Sequence, residues 1–470
     1  MSASTLDHRQ PEPRRHSGYV WAISLVAAMG GLLFGYDWVV IGGAKPFFER
    51  YFELSSSFAK GWANSCALVG CLLGALLSGG LSDRFGRRRL LMLSGLLFLA
   101  TGIGTALAQN FTSFIVFRIL GGMGIGLASN VSPMYIAEVS PAESRGKFVS
   151  LNQLTIVLGI LLAQMVNWMI AEHVAEGATS LEILNSWNGQ YGWRWMFGAG
   201  TVPAALFFLM MFLVPESPRW LVKNAQDAEA QRILGRIGGP QYAARELAQI
   251  QATLVNETER VDFRELLEPK LRRVLVLGVT LAVLQQWCGI NVIFNYAEEI
   301  FQAGGYGVDQ VLLNILATGV VNLAFTFVAI FAVDRLGRRK LMLAGEAGLA
   351  LIYAVFGLCL YFDSKGPQIL ILVVSAIACY ACTLAPVTWV VISEIFPNRI
   401  RGAAMSIAVF ALWAACFLLT FTFPTLNREL GTACTFWMYG LICVVAFVFF
   451  WRRLPETKGK SLEQIEHQLM

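Results

Sequence analysis

A chain of 470 residues could hold several soluble domains, but 56% hydrophobic and only 14% charged residues, with a mean hydropathy of +0.58, exclude a water-facing surface. The net charge of +5 is too unevenly placed along the chain to mark a nucleic-acid binder. Lipid is the solvent that this composition fits.

A hydrocarbon core of roughly 30 Å takes about 20 apolar residues per helical crossing. After a polar tail, 1–18, twelve such stretches follow, at about 19–44, 60–80, 90–108, 112–137, 147–170, 194–214, 272–297, 309–333, 341–361, 368–393, 402–424 and 431–453. The first is too long, and too deep behind a polar tail, for a cleaved secretory signal. The expected fold is an all-α integral membrane protein with twelve transmembrane helices in two six-helix bundles, 19–214 and 272–453. A polar, helix-prone linker spans 215–271, and a second tail 454–470. Of 36 Lys and Arg, 29 fall in the two tails and the loops after even-numbered spans, which places both termini in the cytoplasm by the positive-inside rule. All nine Cys lie in or at the ends of apolar spans, where they act as small hydrophobes.

The spans form one unit used twice. GLSDRFGRRR at 80–89 returns as AVDRLGRRK at 332–340, EVSPAESRG at Glu138 returns as EIFPNRIRG at Glu394, and PESPRW at Pro215 returns as PETKG at Pro455. The offsets, 251, 256 and 240, are nearly constant and imply two related halves. Two facing bundles can enclose a site near the midplane and open it to each side in turn. The repeated charges sit at the predicted cytoplasmic ends: Asp83, Arg84, Arg87 and Arg88 with Glu138 and Arg145, then Asp334, Arg335, Arg338 and Arg339 with Glu394 and Arg401. The seven-residue spacing puts Glu138 with Arg145, and Glu394 with Arg401, on one face if the helix runs through. Such groups make a reversible cytoplasmic latch, since single exposed ion pairs contribute about 0–1 kcal/mol; the alternative is that the arginines only fix topology.

These motifs, together with RILGGMGIG at 118–126, QQWCGIN at 285–291 and SEIFPNRIRG, resemble the sugar porter family of the major facilitator superfamily over roughly residues 19 to 460. Bacterial proton-coupled xylose symporters and animal glucose facilitators are its similar members. The resemblance implies a monosaccharide site, for a pentose or hexose, between the halves. It carries over to Gln153, Gln285, Gln286, Asn291, Asn322 and Trp389, with Phe34 at a pocket-lining position and Trp413 on span eleven. The chemistry agrees, because an amide offers a donor and an acceptor to each sugar hydroxyl without the desolvation cost of a charge. An indole adds a flat apolar face and an N–H. The chain departs from the family pattern at Asn295, where many members carry Tyr, at Leu412, where members usually carry an amide, and at Ile160 and Gly200, where xylose symporters carry Gln and an acid; glucose facilitators, like this chain, tend to be apolar at the position of Ile160.

Asp37 is the one carboxylate between Tyr19 and Ala44, and Arg118 the one basic residue deep in a span. A charge at the bilayer centre costs about 2.5–3.5 kcal/mol on insertion scales, so the pair calls for a compensating role. One reading is a structural ion pair and uniport; the other is proton coupling, in which Asp37 takes up and releases a proton as its distance from Arg118 changes. Proton symporters similar to this chain carry an acid at this place. A sugar sensor would need a longer tail than 455–470, and catalysis is not expected: the four His, 8, 16, 173 and 467, all lie outside the spans. The expectation is a proton-coupled sugar transporter of the bacterial inner membrane, acting as a monomer without cofactor or metal.

Overall fold

In lipid every backbone polar group must be satisfied within its own segment, so an apolar chain of this kind folds as helices. A computed structural model describes residues 17–141, 144–175, 177–256, 268–397, 401–458, 460 and 464, and no strand occurs among them. The first half holds α1 (Ser17–Tyr51), α2 (Ser57–Phe85), α3 (Arg87–Ala106), α4 (Phe111–Val139), α5 (Arg145–Ile170), α6 (Ser180–Asn185), α7 (Trp193–Ala199) and α8 (Thr201–Met210). Three helices follow in the connecting segment, α9 (Pro218–Lys223), α10 (Asp227–Gly238) and α11 (Pro240–Asn256). The second half holds α12 (Pro269–Trp287), α13 (Ile290–Asn295), α14 (Ala297–Ala303), α15 (Val308–Leu336), α16 (Arg338–Tyr361), α17 (Pro367–Cys382), α18 (Leu384–Ile395) and α19 (Arg401–Arg453).

Ten helical stretches are long and apolar enough to cross a bilayer. They contain eleven of the twelve crossings, because α19 is two spans joined at Gly431, whose φ of 78° and ψ of 161° break the helix. Unbroken, its 53 residues would run about 80 Å, far more than a membrane. The sixth crossing is built in pieces: a π-helical turn at Asn188–Gly192, then α7 and α8 parted at Gly200. Pro203 accounts for that parting, since its ring clashes with the carbonyl four residues back. The surface is apolar, with Leu76, Val202, Leu213, Phe331 and Leu351 exposed, as a lipid-facing perimeter requires.

Several helices outrun the apolar stretches that predicted them. Helix α2 continues to Phe85 and α15 to Leu336, and a single glycine, Gly86 or Gly337, separates each from the next helix. Both glycines have φ near +90°, a region that side chains avoid, so the chain turns in one residue. Asp83 and Arg84 thus close α2, and Arg87 and Arg88 open α3, in place of the short loop expected there. Helix α4 ends at Val139, with an extended Ser140, before α5 starts at Arg145, so the helix does not run through from Glu138 to Arg145. The same holds between Glu394 and Arg401, where α18 ends at Ile395.

The two halves press together on the side of the molecule opposite the first residue of α1 and the last of α19; that side is termed the far side and the other the terminal side. Gly42 of α1 lies against the backbone of Phe294 and Asn295, and Gly61 of α2 against the backbone of Phe421. Without a Cβ at either place, helices of different halves touch backbone to backbone. Trp62 and Phe58 pack on Phe417 and Phe421, with ring centroids 6.4 and 5.4 Å apart.

Candidate functional site

Asp37 and Arg118 meet inside the first half. The Arg118 Nη1 donates to Asp37 Oδ1 at 2.8 Å, and both guanidinium Nη atoms reach the Asp37 carbonyl at 3.3 Å. Asp37 is 7% exposed and Arg118 2%. The guanidinium also lies 5.4 Å from the Phe197 ring centroid, a cation–π contact. Two polar atoms of the pair, Asp37 Oδ2 and Arg118 Nε, have no hydrogen-bond partner among the described residues. The carboxylate is therefore held on one oxygen and free on the other. Gly200 explains its own departure from the family: a Cβ there would meet the ring of Tyr36, whose hydroxyl donates to the Met196 carbonyl at 2.9 Å. Tyr36 occupies the space into which an acid on the sixth span would project.

One turn before Asp37 on α1, Phe34 faces the second half. Its ring centroid is 6.0 Å from that of Trp413 on α19 and 6.3 Å from that of Trp38, and Trp38 is 5.8 Å from Trp413. These three rings form an aromatic wall across the halves. The Trp413 Nε1 is buried without an acceptor among the described residues, and the neighbouring Leu412 is buried in the core.

The amides gather where α12 breaks. Helix α12 ends at Trp287, Gly289 takes a left-handed φ of 85°, and α13 starts at Ile290. Gln286 and Asn291 come together across the break, the Asn291 Nδ2 donating to Gln286 Oε1 and also lying 3.3 Å from Cys416 Sγ. Gln285 Nε2 donates to the Tyr380 hydroxyl of α17, while Gln285 Oε1 is buried with no partner among the described residues. Gln153 is half-buried on α5, Asn322 is buried on α15, and Trp389 on α18 is 39% exposed. Among the described residues none of these three is hydrogen-bonded through its side chain to the other candidates. Asn295 is buried with its Oδ1 unpaired among the described residues, while Tyr296 turns into the bundle and donates to the Thr420 carbonyl at 2.7 Å.

On the terminal side, the ion pairs between motif residues that the described residues show lie within one half. Arg87 holds Glu138 through two bonds of 2.9 Å and lies 3.5 Å from Asp83, which also meets Lys223 at 3.1 Å. Arg338 reaches Glu394 at 3.3 Å in the second half. Arg84 lies over the Phe85 ring, Arg145 is exposed, and the Arg88 guanidinium donates to the Met211 and Phe212 carbonyls. Arg339 donates to the Trp451 carbonyl, and the Arg335 carbonyl accepts from Lys458. The Asp334 and Arg401 side chains lie outside the described residues.

Sequence reasoning missed several charged groups. Glu216 accepts from the backbone N–H of Arg87 and Arg88 at 2.9 and 3.1 Å, and Glu456 does the same for Arg338 and Arg339 at 2.9 and 3.2 Å. The glutamates of the two PES/PET motifs are thus anionic caps on the free N-termini of α3 and α16. Glu346 on α16 is fully buried with both carboxyl oxygens unpaired among the described residues. The signal that singles out Asp37, a carboxylate within an apolar span, marks it as well. Lys45 on α1 is also fully buried and pairs with Glu299 of the second half.

Comparison with known proteins agrees with this architecture. The family described as sugar (and other) transporter matches residues 23–469. The D-xylose-proton symporter of Escherichia coli (strain K12) is 39% identical over 482 residues, covering 96% of each chain. The arabinose-proton symporter of Bacillus subtilis (strain 168) is 40% identical over 463 residues, covering 98% of this chain and 97% of that one. The inward-open conformation of the xylose transporter XylE from E. coli superposes with a TM-score of 0.83 at 38% identity, covering 96% of this chain and all of that one. With twelve helices in two six-helix bundles, the fold is that of the major facilitator superfamily, and the chain belongs to the sugar (and other) transporter family.

Proposed function

We propose that this protein carries a monosaccharide, a pentose or hexose, into the cell by alternating access and moves a proton with it. The observation that carries the reading is the buried Asp37–Arg118 pair, one turn along α1 from Phe34 and the aromatic wall that joins the halves. A titratable group and a cross-half surface then share one helix. Rocking of the bundles that moves α1 against α4 changes the field on the free Asp37 oxygen, and with it the affinity for a proton. One charge crossing about 150 mV gains roughly 3.5 kcal/mol, equivalent to on the order of a 300-fold gradient of a neutral sugar.

In this reading Phe34, Gln153, Gln285, Gln286, Asn291, Asn322, Trp389 and Trp413 line the sugar site. Gln285 Oε1 and Trp413 Nε1, an acceptor and a donor buried without partners among the described residues, are the atoms best placed to bond sugar hydroxyls. The distribution of Lys and Arg supports a cytoplasmic terminal side, and with it an inward-facing state in which the far side is shut. The inner membrane of a bacterium is the setting that the symporter relatives favour. The bundles are assigned to 19–214 and 272–453, with the linker at 215–271, and each monomer contains a complete site.

The reading is tested in sealed vesicles with a panel of labelled pentoses and hexoses. Asp37→Asn is expected to abolish uphill uptake while sparing counterflow exchange. Accumulation by the variant against a gradient would place coupling elsewhere and leave the pair with a structural role.

A further inference from the structure

On the far side the two halves also meet through charge. Lys45 of α1 has no exposed surface, yet it carries an ammonium. That ammonium pairs with Glu299 of α14, lies 3.6 Å from Glu49 one turn further along α1, and sits 4.4 Å from the centroid of the Tyr296 ring. Around it, Arg50 of α1 lies 3.6 Å from Glu298 of α14, and Lys60 of α2 lies 3.3 Å from Glu49. Three cations and three carboxylates balance. Lys45 to Glu299 and Arg50 to Glu298 join the halves, whereas both contacts of Glu49 stay within the first.

Burying an ammonium is costly unless an anion and other polar partners compensate it. Here a large part of that compensation, Glu299 and the face of Tyr296, belongs to the other half. Lys45 can stay out of water only while α14 is docked against α1. Opening the far side must part α1 from α13 and α14, because Gly42 touches the Phe294 backbone beside the cluster. Both cross-half pairs break in that step, and Lys45 becomes hydrated.

We propose that Lys45 is the positioning residue of a charged gate on the far side, and that its pairing with Glu299 sets how strongly the carrier favours the state closed there. The proposal rests on the alternating-access reading but not on the identity of the sugar or on proton coupling. It gives the molecule two sets of ion pairs with different jobs: those on the terminal side tie helices within a half in this state, while those around Lys45 tie one half to the other.

Hydrogen–deuterium exchange of the full chain in lipid nanodiscs, without sugar or gradient, tests it. Lys45→Met should raise exchange on the order of tenfold in far-side segments 41–64 and 290–303, and lower it at the terminal ends of α2, α3, α15 and α16, as a shift between two facing states requires. Lys45→Arg should keep the parent pattern. Lys45→Met with Glu299→Gln should fall back to within about threefold of the parent, since the stranded carboxylate is then gone. Three results would overturn the proposal: unchanged far-side exchange in Lys45→Met, an equal rise on both sides that marks a loosened fold, or effects of the two substitutions that simply add. Because no transport is measured, a negative result here is distinguishable from failure of the coupling reading.

Discussion

Asp37 Oδ1 and Arg118 Nη1 are 2.8 Å apart in a protein interior, where breaking one member of a charge pair costs about 3–5 kcal/mol. The pair is therefore stable as found, and it exchanges a proton only if a movement of α1 or α4 first weakens it. This partnership was legible because Asp37 is the one carboxylate between Tyr19 and Ala44 and Arg118 the one basic residue deep in a predicted span. The bonding of the amides was not. Gln286 and Asn291 bond to each other across the break at Gly289, and Gln285 to Tyr380, a partner that no sequence motif indicates. Gln286→Ala is expected to leave a buried sugar hydroxyl unpaired in the complex, a loss of about 1–3 kcal/mol, while the Asn291 amide keeps its contact with Cys416. Sugar affinity, read by tryptophan quenching in detergent, is expected to fall about 5- to 150-fold with insertion and folding unchanged. Unaltered affinity would take Gln286 out of the site. Glu346 needed nothing beyond the rule that found Asp37; what the sequence lacks is any sign that its carboxyl has no hydrogen-bond partner among the described residues.

Among the elements, apolar length located the membrane helices but not their ends. Helices α2 and α15 extend through the charged SDRF and VDRL turns because Gly86 and Gly337 can end them in one residue, and Glu216 and Glu456 satisfy the N–H groups of the helices that follow. Breaks inside spans follow local chemistry: Gly289 in a left-handed conformation, and Pro386, whose ring excludes the Cys382 carbonyl and parts α17 from α18 at Thr383. Helix α1, unbroken despite Pro46, is the element that carries Phe34, Asp37, Gly42 and Lys45 together. Its docking on α13 depends on Gly42, where a Cβ would stand 2.6 Å from the Phe294 carbonyl oxygen. Gly42→Leu is expected to prevent far-side closure, reducing both uptake and counterflow by more than tenfold while the purified protein still binds sugar. Normal counterflow in that variant would show that the close approach is dispensable.

At the scale of the whole molecule, the repeat of three motif pairs announced two halves, and two halves joined mainly on one side are what an alternating carrier needs in one of its states. Which side is joined could not be read from the sequence, because it rests on pairs such as Lys45 with Glu299 and Gln164 with Thr318, more than 150 residues apart and outside every repeated motif. The terminal-side charges were expected to bridge the bundles; in this state the described pairs bind Arg87 to Glu138 and Arg338 to Glu394, each within one bundle. Among the described residues these pairs tie helices within one half, whereas those around Lys45 join the two halves. The central claim, that a proton travels with the sugar, is tested most directly in sealed proteoliposomes loaded with a pH-sensitive dye and held at zero membrane potential. Adding a transported sugar outside is expected to acidify the lumen in proportion to sugar entry, and Asp37→Asn to abolish that acidification. Sugar entry with no change in internal pH, at any external pH, would contradict the account and make this protein a passive carrier.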